Sequence, residues 1–320
     1  KSIIAVLFAI SGLICWCGIS QVISNSVSSA FENAFHIPAL YTTIVLVILA
    51  AVIVLRKNAT VKVLDILVPI MATCYFVITL FIIFKNVTLL PSVFARIFEE
   101  AFGIRQAVAG GFGAILMNGV KRGLFSNEAG MGSAPNAAAS ASVSHPAKQG
   151  MVQVISVFID TLLICSATAM MLLLSGVQGE AGVLDGIPFV QKAISANVGT
   201  WGIHFITASI FAFAFSSLIG NYYYAESNIL FIKNNKVLLF VFRCTCLLAV
   251  FLGAQADFSL VWNLADITMG CMAIVNIIAI LLLGNIALKV LKDYETQKKA
   301  GKNPVFKAEN VGIKNTDCWK

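Results

Sequence analysis

The chain has 320 residues, 59% of them hydrophobic and 12% charged, with a mean hydropathy of +0.89. A soluble domain is about half apolar and a quarter charged, so this composition excludes a sizeable soluble domain and describes a polytopic membrane protein. The net charge of +7 is no nucleic-acid signal. Eight of the 22 Lys and Arg (Lys289, Lys292, Lys298, Lys299, Lys302, Lys307, Lys314 and Lys320) lie in a tail after the last apolar run, where basic residues mark the cytoplasmic side and attract anionic lipid.

Windows of roughly 20 apolar residues, the length that spans a bilayer, fall at 2–24, 39–56, 62–84, 103–121, 150–176, 203–232, 236–254 and 258–285. They predict an all-α bundle of about eight transmembrane helices. The sequence starts at Lys1 and enters an apolar span directly, with no n-region or cleavage site, so it is not a signal peptide and reads as a fragment lacking its N-terminus. The first span ends in a polar stretch, Ser20 to Ser26. In the fourth, the apolar run is interrupted by Gly110, Gly111, Phe112 and Gly113. Three glycines in four residues weaken a helix, and a break at mid-depth belongs where backbone lines a protein-enclosed cavity, as in transporters. The alternative is that these glycines only let two helices pack closely. The segment 126–149, small and polar, reads as a cytoplasmic loop with a short helix near Pro135. Alternating the loops puts 56/57/62, 121/122/148, 233/236 and the tail on one side, the more basic and hence cytoplasmic one.

Ionisable groups inside spans are costly and are functional candidates by default. Asp160 lies among Thr161, Ser166 and Thr168, Glu226 ends the run Asn221-Tyr222-Tyr223-Tyr224-Ala225, and Asp266 follows Trp262 by one helical turn, early enough in its span to face an outer vestibule. Asp160 is equally consistent with a structural pairing across helices, and Glu226, near the cytoplasmic face, reads rather as structural or interfacial. Ser216 and Ser217 are either back-bonded to the preceding turn or hard oxygen donors for an alkali cation. Motifs of hydrolases, zinc proteases and P-loop NTPases are absent, so no enzyme is expected. The eight cysteines sit mostly within apolar runs and read as filler.

The stretch RGLFSNEAGMGSAPNAAASA…HPAKQG (122–150), followed by FIDTLLICSATAM, FAFSSLIGNYYYAE, WNLADITMGCMAIVN and NPVF…CWK, resembles the alanine or glycine:cation symporter family, also called sodium:alanine symporters. The resemblance covers essentially the whole chain. It implies the leucine-transporter fold of two inverted five-helix repeats, with the last three spans of the first repeat at 1–102, the second repeat at 103–285 and a basic cytoplasmic tail at 286–320. It implies that Gly110 to Gly113 form the broken helix beside the substrate, that Trp262 and Met269 face the substrate, and that Ser216 and Ser217, with the Phe213 carbonyl, hold sodium. Where the family has a substrate-contacting Gln two residues before the Asn matched by Asn25, this chain has Ile23, and the nearest Gln is Gln21. Either specificity differs or the register shifts there.

The expected function is therefore sodium-coupled import of a small neutral amino acid, alanine or glycine, across the cell inner (plasma) membrane by alternating access. The expected partners are that amino acid, sodium as the co-transported ion and membrane lipid, with no nucleic acid and no obligate protein partner. The alternatives are proton coupling through Asp160 or Asp266 and a non-transporting membrane remnant or scaffold.

Overall fold

In hydrocarbon every backbone N–H and C=O needs a partner within the protein, and an uncharged run achieves this only as a helix. The computed structural model describes residues 2–55, 57–102, 112–179, 183–313 and 319, and among them the chain is helical almost throughout. The helices are α1 (Ile3–Phe35), α2 (Ala39–Leu55), α3 (Lys57–Lys85), α4 (Leu90–Phe102), α5 (Phe112–Asn127) and α6 (Ser133–Ala139). Next, α7 (Pro146–Ile159) runs through a π-helical turn (Asp160–Cys165) into α8 (Ser166–Leu173), and α9 (Gly186–Val198), α10 (Trp201–Ile232), α11 (Lys236–Gln255) and α12 (Phe258–Lys299) follow. Among the described residues six stretches are long and apolar enough to cross a bilayer: Ile3–Phe35, Val68–Lys85, Pro146–Leu173, Trp201–Ile232, Lys236–Gln255 and Phe258–Lys299. Ala39–Val52 is a shorter apolar helix. Much of the window 103–121 lies outside the described residues.

The bundle is built around α1, which packs along α10, α11 and α12. The first span does not stop at its polar stretch. It continues to Phe35, because Ser24, Asn25 and Ser28 are buried against neighbouring helices rather than released to water. Its approach to α11 is closest at Gly253, where a Cβ would fall 2.3 Å from the Gln21 Cα. Asn25 secures the contact by donating from Nδ2 to the carbonyls of Gly253 (3.1 Å) and Ala256 (2.7 Å). Small residues that admit a close backbone, with an amide side chain across the seam, are how helices associate where no hydrophobic drive separates protein from lipid.

The amphipathic helix α9 caps one end through Gln191, which is fully buried. Its Nε2 donates to the Ala30 carbonyl (3.0 Å) and to Thr207 Oγ1 (2.8 Å), and its Oε1 accepts from Asn33 (2.7 Å). The outward faces carry exposed Phe84, Phe240 and Leu281, the apolar surface that lipid solvates. At the other end of the chain, α12 is one helix of 42 residues. The boundary expected at 285/286 therefore falls inside it.

Because Gly253 leaves no room for a methyl group, Gly253→Ala is expected to lower stability by about 1–3 kcal/mol through overpacking. A thermal melt of the purified protein in detergent measures this; an unchanged midpoint would show that the α1–α11 seam is looser than described.

Candidate functional site

The α5 helix ends at Asn127, and the chain then makes a turn through 128–132 before α6 begins. Three of these five residues have left-handed backbone: Glu128 (φ 50), Gly130 (φ 75) and Gly132 (φ 107). Glycine adopts this freely and glutamate does not. Gly132 is needed twice over, since a Cβ there would also sit 2.3 Å from the Phe8 ring of α1. Carbonyls released by the turn are caught by amides. Asn276 of α12 donates to the Gly130 carbonyl (2.8 Å), and Asn136 of α6 donates to the Gly132 carbonyl (3.0 Å). Asn136 Oδ1 in turn accepts from Asn228 of α10 (3.3 Å).

This turn is inside the bundle. Arg122 of α5 pairs with Asp266 of α12 (2.6 Å) and lies 4.7 Å from the Trp262 ring, which also meets Phe125 at 4.8 Å. Further along, Gly130 and Gly132 reach Ile277 and Asn276. From Trp262 to Asn276 is 14 residues, or about 21 Å of helix at 1.5 Å each. The α5–turn–α6 element therefore runs beside α12 over about two thirds of a bilayer core of roughly 30 Å.

Within the segment read as a cytoplasmic loop, 126–149, residues 128–132 form a turn packed against α1 and α12. The short helix at Pro135 is present, and the residues before it form a helix break in which Met131, Gly132 and Ser133 are buried while Ser126 and Ala129 are exposed. Arg122, grouped by loop alternation with the basic face, instead meets Asp266, which had been assigned to an outer vestibule. A loop in water and a helix break enclosed by protein call for the same small, polar residues, so composition alone does not separate them.

Two chemically different surroundings flank the break. On one side Ser126 Oγ donates to Asp160 Oδ2 (2.7 Å), Thr161 Oγ1 donates to Asn127 Oδ1 (2.8 Å), and Cys165 Sγ lies 3.8 Å from the same Asp160 oxygen. Asp160 opens the π-helical turn, a distortion often found at functional positions. On the other side is a cavity of about 520 Å³, within the roughly 300–1,000 Å³ range of small-molecule sites. Apolar residues such as Phe8, Phe231 and Leu282 form most of its wall, and Asn136, Asn228, Asn276, Ser2 and Ser227 supply its polar points. None of its described lining residues is ionisable.

The residues singled out from the sequence are distributed otherwise. Gly110 and Gly111 lie outside the described residues. Phe112 opens α5, and Gly113 has no atom within 4 Å of where a Cβ would stand. Gln21 sets its backbone against Gly253. The Trp262 indole packs between Phe125 and Phe258, with its buried N–H lacking an acceptor. Met269 is 2% exposed in a core with Cys15, Trp16, Met131 and Met272. Ser216 Oγ donates to the Phe213 carbonyl (2.7 Å), the Phe213 ring meets Tyr75 at 6.2 Å, and Ser217 is exposed. On α10, Ser216 stands eleven residues before Ser227, about 16 Å from the cavity wall along the axis. The hollow nearest Ser216 in sequence is a separate space of about 30 Å³ between α1, α10 and α11, lined by Trp16, Ser20 and Asn221. Glu226 is paired with Arg243 of α11 at 3.5 Å. The sequence reading passed over Asn136, Asn228 and Asn276; the last two stand as single amides in apolar runs, the one available signal.

Residues 1–308 match the family model described as the sodium:alanine symporter family. The chain belongs to that family. It is 46% identical to the amino-acid carrier protein AlsT of Bacillus subtilis (strain 168), over 99% of this chain and 68% of AlsT. It is also 46% identical to the probable sodium/glutamine symporter GlnT of the same organism, over 94% of this chain and 63% of GlnT. A sodium/proton-dependent alanine carrier protein of Bacillus sp. (strain PS3) is 39% identical, over 93% of this chain and 71% of the carrier. The chain thus spans about two thirds of the length of these relatives. Sodium:alanine symporter family members carry the names of transporters and not of enzymes, in keeping with the absence of hydrolytic motifs.

Gly132→Ala combines a strained φ with a clash and is expected to cost about 2–4 kcal/mol. Gly119→Ala, in α5 with open space around it, is expected to be neutral or to stabilise by up to about 1 kcal/mol. Paired thermal melts check both; equal shifts would mean that position 132 tolerates a side chain.

Proposed function

We propose that the protein is a sodium-coupled symporter that imports a small neutral amino acid, alanine or glycine, across the plasma membrane by alternating access. One observation carries this reading: a helix break within the bundle opens beside a cavity whose described lining is uncharged but polar. A substrate with a charged side chain would need a counter-charge once removed from water, and this lining offers none. The two charges of an amino acid's backbone are matched instead by main-chain and amide dipoles, the pattern that broken helices supply in transporters. The family, and a relative named for alanine, favour a small side chain. GlnT, named for glutamine, marks the alternative within the neutral class.

For the ion, Ser216, Ser217 and the Phe213 carbonyl remain the proposed ligands. They are hydroxyl and carbonyl oxygens one turn apart on α10, suited to sodium and costing less to bury than a carboxylate. Gly110 to Gly113, Trp262, Met269 and Gln21 remain proposed substrate contacts. Binding of both ligands favours closure, and the cycle follows from a population shift between outward- and inward-open states. The basic tail favours a cytoplasmic C-terminus.

A second reading, proton coupling, is supported by Asp160, a carboxylate hydrogen-bonded at the break, and by the relative named as sodium/proton-dependent.

Uptake of labelled alanine by the full-length protein in proteoliposomes separates the two. An inward sodium gradient is expected to accelerate uptake, and equal uptake with and without it would end the sodium claim. Ser216→Ala is expected to raise the sodium concentration for half-maximal uptake by about tenfold, the effect of losing about 1.4 kcal/mol of binding. Asp160→Asn is expected to leave sodium-driven uptake in place; loss of uptake driven by a pH gradient alone would establish the proton reading.

A further inference from the structure

Two motifs remain without a role in this reading: His145-Pro146, and Asn303 to Phe306 in the tail. The structure brings them together. After α12 the chain reverses at Gly301 (φ 71) and lays its tail along the corner between α6 and α7. The Phe306 N–H donates to the Ser144 carbonyl (2.9 Å), Ser144 Oγ donates to the Pro304 carbonyl (3.0 Å), and Lys148 donates to Asn303 Oδ1 (2.7 Å). Gln297 of α12 brackets Val305, donating to its carbonyl and accepting from its N–H, both at 3.0 Å.

At the centre is His145, which has no exposed surface. Its Nδ1 accepts from the Ala147 N–H (3.1 Å), so in the neutral ring the proton is on Nε2, which faces Asp293 Oδ2 of α12 at 3.2 Å. The rings of Tyr294 and Phe306 stand edge-on to it at 5.1 and 5.3 Å, and Trp319 meets Phe306 at 5.4 Å. Three parts of the chain are locked into one buried node: the α6–α7 corner, the end of α12 and the tail.

The node's position gives it a consequence. α6 and α12 are two walls of the 520 Å³ cavity. α6 is only seven residues long, hinged at one end by the left-handed Gly130 and Gly132 and tied at the other by this node. We propose that the tail segment Asn303–Phe306, with Trp319, is a strap that sets the separation of α6 from α12 and thereby controls the opening and closing of the cavity. The proposal rests on reading that cavity as part of the transport route. With the strap fastened, α6 turns about its glycine hinge only as far as the node allows. With it released, the Asn276–Gly130 and Asn136–Asn228 hydrogen bonds and local apolar contacts are what restrain that wall.

The test uses the full-length protein with spin-labelled unnatural side chains at Ala139 and Leu288, exposed positions on α6 and α12 outside the strap. The distance between them is measured without substrate or gradient, and uptake is measured separately. Phe306→Ala is expected to enlarge a longer-distance population by about tenfold and to change the uptake rate. A chain ending at Lys302 is expected to do the same. Should either variant fail to fold, Gln297→Ala loosens the strap from outside the ring cluster and gives the answer. An unchanged distance distribution in the folded variants overturns the proposal, as does a changed distribution with unchanged uptake. A parent protein that transports nothing would instead defeat the transport reading, and the distances would still decide whether the strap positions α6.

Discussion

The Gly130 carbonyl, held by the Asn276 amide of α12, is the contact on which the break between α5 and α6 depends. A helix can stop in an apolar interior only where the backbone groups it releases find partners, because an unmade hydrogen bond there costs several kcal/mol. That single requirement dictates positions on three other helices. α12 must bring an amide to the level of the turn, α10 must place Asn228 beside Asn136, and α1 must present Phe8 where only a glycine fits. The cavity follows from the same arrangement. A chain that turns through left-handed residues leaves space a continuous helix would fill, and the amides around that space become its polar lining.

The break also separates two kinds of chemistry. Charges collect on the α5 side, where Arg122 meets Asp266 and Asp160 accepts from Ser126. The cavity side carries amides, hydroxyls and apolar surface. Such segregation lets a neutral solute be recognised by dipoles, while an ionisable group stands within a few residues of the moving part.

Six of the eight apolar windows in the sequence fall on membrane-length helices, because in hydrocarbon hydropathy and helix are nearly the same statement; the window at 39–56 gives a shorter helix and much of 103–121 lies outside the described residues. They fail where polarity is enclosed by protein. Ser20 to Ser26 read as the end of a span, yet α1 continues to Phe35 with Asn25 spent on Gly253 and Ala256. Ser126 to Ser133 read as a loop, yet residues 128–132 are a turn packed against α1 and α12; of the glycines expected to make a break, Gly110 and Gly111 lie outside the described residues. Asn136, Asn228 and Asn276 were illegible for another reason. Nothing local distinguishes an amide that caps a distant carbonyl from one that caps its own helix; only the register of α6, α10 and α12 does, and register is a tertiary fact. The resemblance of 122–150 to a known family identified the family without revealing the shape of that element.

The fully buried Gln191, tied to Ala30, Asn33 and Thr207, exemplifies how the scaffold is fastened. It does so with uncharged dipoles, as do Asn25 on α11 and Gln255 on Thr43. Dissolved ions screen exposed charges within about 10 Å at 0.1 M, whereas buried dipole contacts at such short range are almost untouched. Sodium in the surroundings can therefore rise and fall widely without loosening these seams. For the symporter proposed above, these seams hold at whatever sodium concentration it meets.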